Sequence, residues 1–325
     1  MTQTFLGNWG KWFTEASYAL LLVALLSVYI IVGSSWTRDF LEFSTNYQLT
    51  TPLSQIIFAL AIAGIIYKGF SELAFVNYIV TSLMLGAILL VMVYAQDDIV
   101  FKHLEPQKLD LKDNFSPLPM LLTTLGFSII FPSLATYLKS KKSDLVKSLL
   151  GGSLLILTIY ILWQATAFGV IGEDLKTLAQ SSNQGDEIIH YLSDLSHSPV
   201  VTNVGYAFMF FATLSSILGV GQCMYAFIKD ALPINCYKTK SRISIVSSFL
   251  IPLIIIQIYP TGITKILSLG GIFVAILLGL IPTLMVISKT YTSKVAPLKP
   301  RQRIFTTLSL AFFITVILIQ LSSYL

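Results

Sequence analysis

The chain has 325 residues, 55% of them hydrophobic and only 11% charged, with a mean hydropathy of +0.78. Soluble domains carry about a quarter charged residues, so these values exclude an ordinary water-soluble domain. The formal net charge of +5 would suit a nucleic-acid surface only if the basic residues shared one face, and their order along the chain shows that they do not.

Uncharged apolar runs of about 18 residues or more read as membrane-spanning helices. Nine occur, at about 17–36, 52–68, 75–95, 118–138, 148–171, 204–228, 243–259, 263–288 and 304–324. The first follows a segment containing Trp9 and Trp12, has no small-residue cleavage site and is followed by eight similar runs. It is therefore a span and not a cleaved signal peptide. Lys139, Lys141, Lys142 and Lys147 follow the fourth run; Lys229, Lys238, Lys240 and Arg242 follow the sixth; Lys289, Lys294, Lys299, Arg301 and Arg303 follow the eighth. The alternate connections are poor in Lys and Arg. The longest, 172–203, holds Lys176 against Glu173, Asp174, Asp186, Glu187 and Asp194. This alternation is the positive-inside pattern. It predicts a cytoplasmic amino terminus, a periplasmic carboxyl terminus and no role in nucleic-acid binding.

The residues for most catalytic chemistries are missing or misplaced. His103, His190 and His197 fall in the predicted outer loops, away from Cys, Asp or Glu at metal-ligand spacing. Cys223 lies in a span and Cys236 in a cytoplasmic loop, which suits neither a disulfide nor a metal site. The two glycines of LGVGQC (218–223) read as close helix packing. No nucleophile or phosphate-loop motif is present, so the expectation is a non-enzyme without cofactor or metal. The span interiors also lack Asp, Glu, Lys, Arg and His, with Lys265 at an edge. That argues against a proton pump or a voltage sensor. What they do hold is neutral and polar: Tyr29, Ser54, Gln55, Thr123, Thr124, Ser128, Ser133, Thr136, Gln164, Ser215, Ser216 and Gln222. The bland account of these is hydrogen bonding between helices; the sharper one is a pocket for a polar, net-neutral solute.

The fourth run, LLTTLGFSIIFPSLATYLKSKK, holds Gly126 and Pro132 in its middle. Glycine permits unusual dihedrals, and proline removes a donor and disrupts the preceding turn. In hydrocarbon such irregular backbone survives only against protein or a cavity, and discontinuous helices of this kind build transporter binding sites. A simple kink is the competing reading. LSLGGIFVAILLGLIPTL (267–284), with Gly270, Gly271 and Pro282, predicts a second interrupted helix.

TTLGFSIIFPSLATYL (123–138) resembles the substrate-site helix of the hydroxy and aromatic amino acid permeases, part of the amino acid–polyamine–organocation superfamily. The likeness continues through LGNWGKWFTEASY (6–18), VYIIVGSS (28–35), YKGFSELAFVN (67–77), LWQATAFGVI (162–171), SSILGVGQ (215–222), FLIPLIIIQIYPTGI (249–263) and LGLIPTL (278–284). The ordered series covers nearly the whole chain.

The resemblance implies a secondary transporter of tyrosine or tryptophan in a bacterial inner membrane. Its partners would be an aromatic amino acid substrate, a coupling proton or alternatively sodium, and the lipid bilayer. The implied fold is an all-α polytopic membrane protein, a leucine-transporter-like inverted-repeat bundle. Residues 1–325 would be a single transmembrane transporter domain without a soluble domain, holding nine of the family's eleven helices. Carried onto this sequence, Thr124, Gly126, Phe127 and Ser128 form the unwound segment. Tyr29 comes from the family's third helix, and Ser215, Ser216 and Gly219 from its eighth. Trp163 and Gln164 match a Trp-Gln pair in the seventh, where a structural role is at least as well supported.

Three residues depart from the pattern: Ser128 where relatives carry histidine, Ala226 for an aspartate of the eighth helix, and Ala74 for another aspartate. A hydroxyl cannot titrate as imidazole does, so a histidine coupling role does not carry over. The likeness begins in the loop before the third helix. The first two helices, with the glycine-rich segment that faces Gly126, are therefore expected to be missing. A late-assigned start, a split gene or two assembling polypeptides would each account for this, and residues 1–325 alone are expected not to transport. The alternative reading is a non-transporting membrane remnant or an assembly partner from a split permease gene.

Overall fold

The structure, a computed structural model, describes residues 2–45, 49–105, 142–172, 199–259, 270–292 and 300–322. Among them the regular elements are all helical. They are α1 (Thr2–Thr45), α2 (Thr51–Lys68), α3 (Phe70–Ala95), α4 (Lys142–Ile171), α5 (Pro199–Ala231), α6 (Tyr237–Ile258), α7 (270–292) and α8 (Pro300–Ser322). Two short 3₁₀ turns, Gln96–Asp98 and Phe101–Leu104, follow α3. Seven of the described helices are long and apolar enough to cross a bilayer, and α8 adds a shorter apolar stretch, Arg303–Ile319. The chain is an all-α polytopic membrane protein. Eight of the nine runs expected from sequence coincide with these helices, wholly or over their described part; the run at 118–138 lies outside the described residues.

Helix α1 extends far beyond the run expected at 17–36. The part after Gly7, residues 8–45, spans about 57 Å at 1.5 Å per residue, well beyond the roughly 30 Å of bilayer hydrocarbon. The added amino-terminal turns carry a kink at Gly7 (φ 71°, ψ −167°) and a Lys11–Glu15 ion pair at 3.9 Å. Trp9 and Trp12 are 68% and 70% exposed there, as befits aromatic rings at a membrane–water interface. Hydropathy finds only the part of a helix that sits in hydrocarbon, which is why this extension is silent in the sequence.

The described chain divides into two compact units. The first contains residues 2–67 and 219–322, the second residues 68–105 and 142–218. Helix α5 contributes to both, with the division at Leu218–Gly219.

In the first unit α1 packs against α6 and α7. Leu21, Leu22, Leu26 and Ile30 of α1 are fully buried. The inward face of α6 is Ser241, Ser244, Ile245, Ser248, Phe249, Pro252 and Ile256, a spacing of three and four residues that keeps one stripe inward. The serines do not strand their hydroxyls: Ser244 donates to Lys240 O and Ser248 to Ser244 O, each at 2.7 Å. Gly221 of α5 sits where a Cβ would come within 2.7 Å of Ile66 Cδ1 and 3.2 Å of Phe249 Cζ, with Leu26 also adjacent. The reading of LGVGQC as a close-packing motif holds at this glycine.

Helix α7 is continuous from 270 and is widened where the sequence suggests an interruption. It passes through a π-helical turn, Ala275–Leu280, into the α-helix Ile281–Thr292. The Ile281 N–H bonds to Ile276 O, five residues back. Pro282 supplies no N–H, and a π turn upstream absorbs that misfit without severing the helix. The extra width brings Gly279 against α8, where a Cβ would lie 2.0 Å from Phe313 Cγ.

In the second unit α3 packs on α4, and the turn Phe101–Leu104 packs on α4 as well. Val91 and Ala95 of α3 cluster with Val170 and Ile171 of α4 and Val201 of α5; Ile99, Trp163 and Val204 close the cluster. The Gly169 carbonyl near the end of α4 accepts from Val100 N–H at 2.9 Å and from His103 Nδ1–H at 3.0 Å. These bonds satisfy a carbonyl that the last turn of a helix leaves free. Leu150, Leu154, Leu157 and Ile161 of α4 are all exposed and, at four-three-four spacing, share one side of the helix.

Gly279→Ala is expected to destabilise the protein by about 1–3 kcal/mol through overpacking, read as a lowered Tm in detergent. Gly279→Ala combined with Phe313→Ala should lose less than the two single losses added together. An unchanged Tm for Gly279→Ala would contradict the contact.

Candidate functional site

Of the eight residues expected at a site, Thr124, Gly126, Phe127 and Ser128 lie outside the described residues. Tyr29 and Gly219 belong to the first unit, Ser215 and Ser216 to the second. Tyr29 is half-buried on α1, between the buried Val28 and Ile30. Ser215, Ser216 and Gly219 are half-buried on α5.

The second unit places Ser215 in a polar network spanning two helices. Its Oγ donates to Asn77 Oδ1 at 2.9 Å and lies 3.2 Å from Thr81 Oγ1. A serine hydroxyl has one proton; once it goes to Asn77, the Thr81 contact needs Thr81 as donor. Asn77 and Thr81 stand four apart on α3, hence on one face. The sequence reading missed both. The signal for them was present: two uncharged hydrogen-bonding side chains at helical spacing inside an apolar run.

The first unit holds a second set of polar groups. Gln257 Nε2 donates to Gln55 Oε1, joining α6 to α2, while Ser54 turns to Thr51 O of its own helix at 2.9 Å. Helix-to-helix bonding therefore describes Gln55 and Ser215 as the bland reading expects. Two buried oxygens, Ser27 Oγ of α1 and Gln222 Oε1 of α5, find no protein partner among the described residues. A buried unsatisfied polar atom costs about 1–3 kcal/mol, and either oxygen could accept a bond from water or from a bound donor. Trp163 packs on Phe208 with ring centroids 6.1 Å apart and borders the α3–α4–α5 cluster; its role is packing. Gln164 is exposed.

Charge sits at the ends of these helices. Lys229, near the end of α5, donates to Tyr225 Oη at 3.2 Å and rides 4.2 Å above the Tyr237 ring. Tyr225 Oη is in turn hydrogen-bonded to Ser241 Oγ of α6. Two aromatic faces and a hydroxyl thus hold one ammonium and tie α5 to α6 across a short connection.

A chain of apolar helices with neutral polar groups inside and basic residues at alternate ends has the chemistry of a membrane carrier. Comparison with known proteins agrees. The Haemophilus influenzae protein named tyrosine-specific transport system 1 is 28% identical over 274 residues, covering 83% of this chain and 67% of that protein. The Pseudomonas aeruginosa tryptophan-specific transport protein is 26% identical over 294 residues, 88% of this chain and 70% of its own. The Escherichia coli low affinity tryptophan permease is 23% identical over 298 residues, 88% and 71% respectively. No solved structure matches the chain. The sequence pattern of the tryptophan/tyrosine permease family matches residues 1–321, so the chain belongs to the tryptophan/tyrosine permease family, a family of transporters and not of enzymes.

Proposed function

We propose that the protein carries an aromatic amino acid, tyrosine or tryptophan, across a bacterial inner membrane by secondary active transport. The family match over residues 1–321 is the observation that carries this reading; the neutral polar groups on apolar helices support it. A zwitterionic amino acid is polar yet net-neutral, so uncharged hydroxyl, amide and backbone groups can hold it without a buried counter-charge. The residues proposed to contact it are Tyr29, Thr124, Gly126, Phe127, Ser128, Ser215, Ser216 and Gly219. The rings of Tyr29 and Phe127 offer offset or edge-to-face partners for the substrate ring, worth about 0.5–1.5 kcal/mol beyond burial. The proposed coupling ion is a proton, with sodium the alternative, and the proposed fold is the leucine-transporter-like inverted repeat. Lys142, Lys147, Lys229, Lys238, Lys240 and Arg242 support a cytoplasmic amino terminus and a periplasmic carboxyl terminus.

Deleting the coding sequence should remove a saturable component of labelled tyrosine or tryptophan uptake, in a background without other aromatic permeases. Restoring it should bring that component back, sensitive to a protonophore if protons couple and to sodium removal if sodium does. Unchanged uptake after deletion would overturn the proposal. Expressing residues 1–325 in an unrelated transport-deficient host then asks whether this polypeptide suffices or needs another.

Topology has its own reporter. Cys236 is exposed immediately before α6, and Cys223 is buried within α5. The Thr239 hydroxyl beside Cys236 lowers its thiol pKa below the ordinary value, so its thiolate is available at lower pH than that of an unperturbed cysteine. An impermeant maleimide should label Cys236 in inverted vesicles and leave it unlabelled in right-side-out ones. The rate should rise with pH earlier than for a free thiol, and Thr239→Ala should move that rise to higher pH. Labelling from the periplasmic face would reverse the orientation.

A further inference from the structure

Serine and threonine hydroxyls in membrane helices ordinarily return to a carbonyl of their own helix, three or four residues back. Thr158, Thr166, Thr213, Thr283 and Thr315 all do so here, at 2.7–3.0 Å. Ser82, the neighbour of Thr81, does so with Tyr78 O at 2.9 Å. Thr81 instead turns to Ser215, and Ser215 to both Thr81 and Asn77. Two hydroxyls have left a partner always within reach for one on another helix, so the register of α5 against α3 is specified by this contact and not merely permitted by it.

The donor count shows what the contact leaves for a solute. Ser215 gives its proton to Asn77 Oδ1 and receives one from Thr81, so its one proton is spent and a single lone pair is left. Ser216, the next residue and about 100° further round the helix, is outside the network. We infer that Asn77 and Thr81 are positioning residues for transport: by clamping Ser215 they set the rotation of α5 that presents Ser216 to the aromatic amino acid. This rests on the transport reading above, and it gives Ser215 a second task, holding the helix, beside the solute contact proposed for it.

The test is saturable uptake by the protein in its native context, comparing apparent KM and maximal rate per amount of protein in the membrane. Asn77→Ala should raise KM about threefold to tenfold, the loss expected of one interhelical hydrogen bond in a bilayer, with maximal rate and membrane level kept. A merely structural bond would lower the membrane level or the maximal rate and leave KM alone. Thr81→Val keeps the shape of the side chain and should move KM in the same direction, whereas Thr81→Ser keeps the hydroxyl and should match the parent. Asn77→Ala with Ser215→Ala should raise KM by less than the two single effects combined, since the variants share the Ser215–Asn77 bond. A parental KM for Asn77→Ala and Thr81→Val, or additive losses in the double variant, overturns the positioning role. If Asn77→Ala fails to reach the membrane, the Thr81→Val and Thr81→Ser pair decides alone. Absence of saturable uptake in the parent overturns the transport reading itself, and the positioning role with it.

Discussion

Within a bilayer there is no water to satisfy a stranded donor or acceptor, and the described structure follows from that constraint. Backbone groups are closed into helices, the form in which a single segment satisfies its own amides. Charged side chains gather at helix ends, as Lys68 does on α2, Asp144 and Lys147 on α4, and Lys229 on α5. Threonines and serines fold back on their own carbonyls. Other polar groups reach across: Gln55 with Gln257, Ser215 with Asn77 and Thr81, Ser241 with Tyr225 and Ser288 with the Phe5 carbonyl, while Ser27 Oγ and Gln222 Oε1 find no partner among the described residues.

The same solvent removes the hydrophobic drive for helices to associate, since lipid tails are as apolar as leucine. Close approach and dispersion contacts must substitute. Small residues at contact points serve this in the first unit: Gly221 against Ile66 and Phe249, Gly279 against Phe313, and Ser244 and Ser248 along α6. The second unit relies more on a knot of aliphatic side chains around Val91 and Ile171. In both, large apolar side chains remain on the outside, as lipid solvation allows.

The helices were legible because length and hydropathy are themselves the membrane signal, and eight runs could be checked against described elements. Residues 2–16 of α1 were not legible as helix, since their polar and aromatic mixture belongs to the interface. The widened turn of α7 was half legible: Gly270, Gly271 and Pro282 announced irregular backbone, but whether a helix breaks or adds a residue to a turn depends on what packs beside it. Here the Phe313 ring packs beside Gly279. At the candidate site, Ser215 was legible as a polar residue in a span and not as a clamp, because its partners lie 138 and 134 residues away in sequence. Sequence spacing reveals neighbours on one helix, such as Asn77 with Thr81, but not the third residue between them.

A hydrogen-bonded clamp also differs from an apolar contact in how it can be undone. Separating two interlocked apolar faces forfeits many dispersion contacts at once, with nothing to replace them. Separating Ser215 from Asn77 and Thr81 leaves two hydroxyls that can each rotate to a carbonyl of their own helix, as Thr213 on α5 and Ser82 on α3 already do. The net difference is then close to the modest value of about 0.6 kcal/mol typical of interhelical hydrogen bonds in membranes. Only Asn77, with no such local fallback for its amide oxygen, opposes the separation. A bond that is directional when made and inexpensive to exchange defines helix rotation without locking it. Such a contact suits a membrane carrier, whose helices must shift against one another to move a solute.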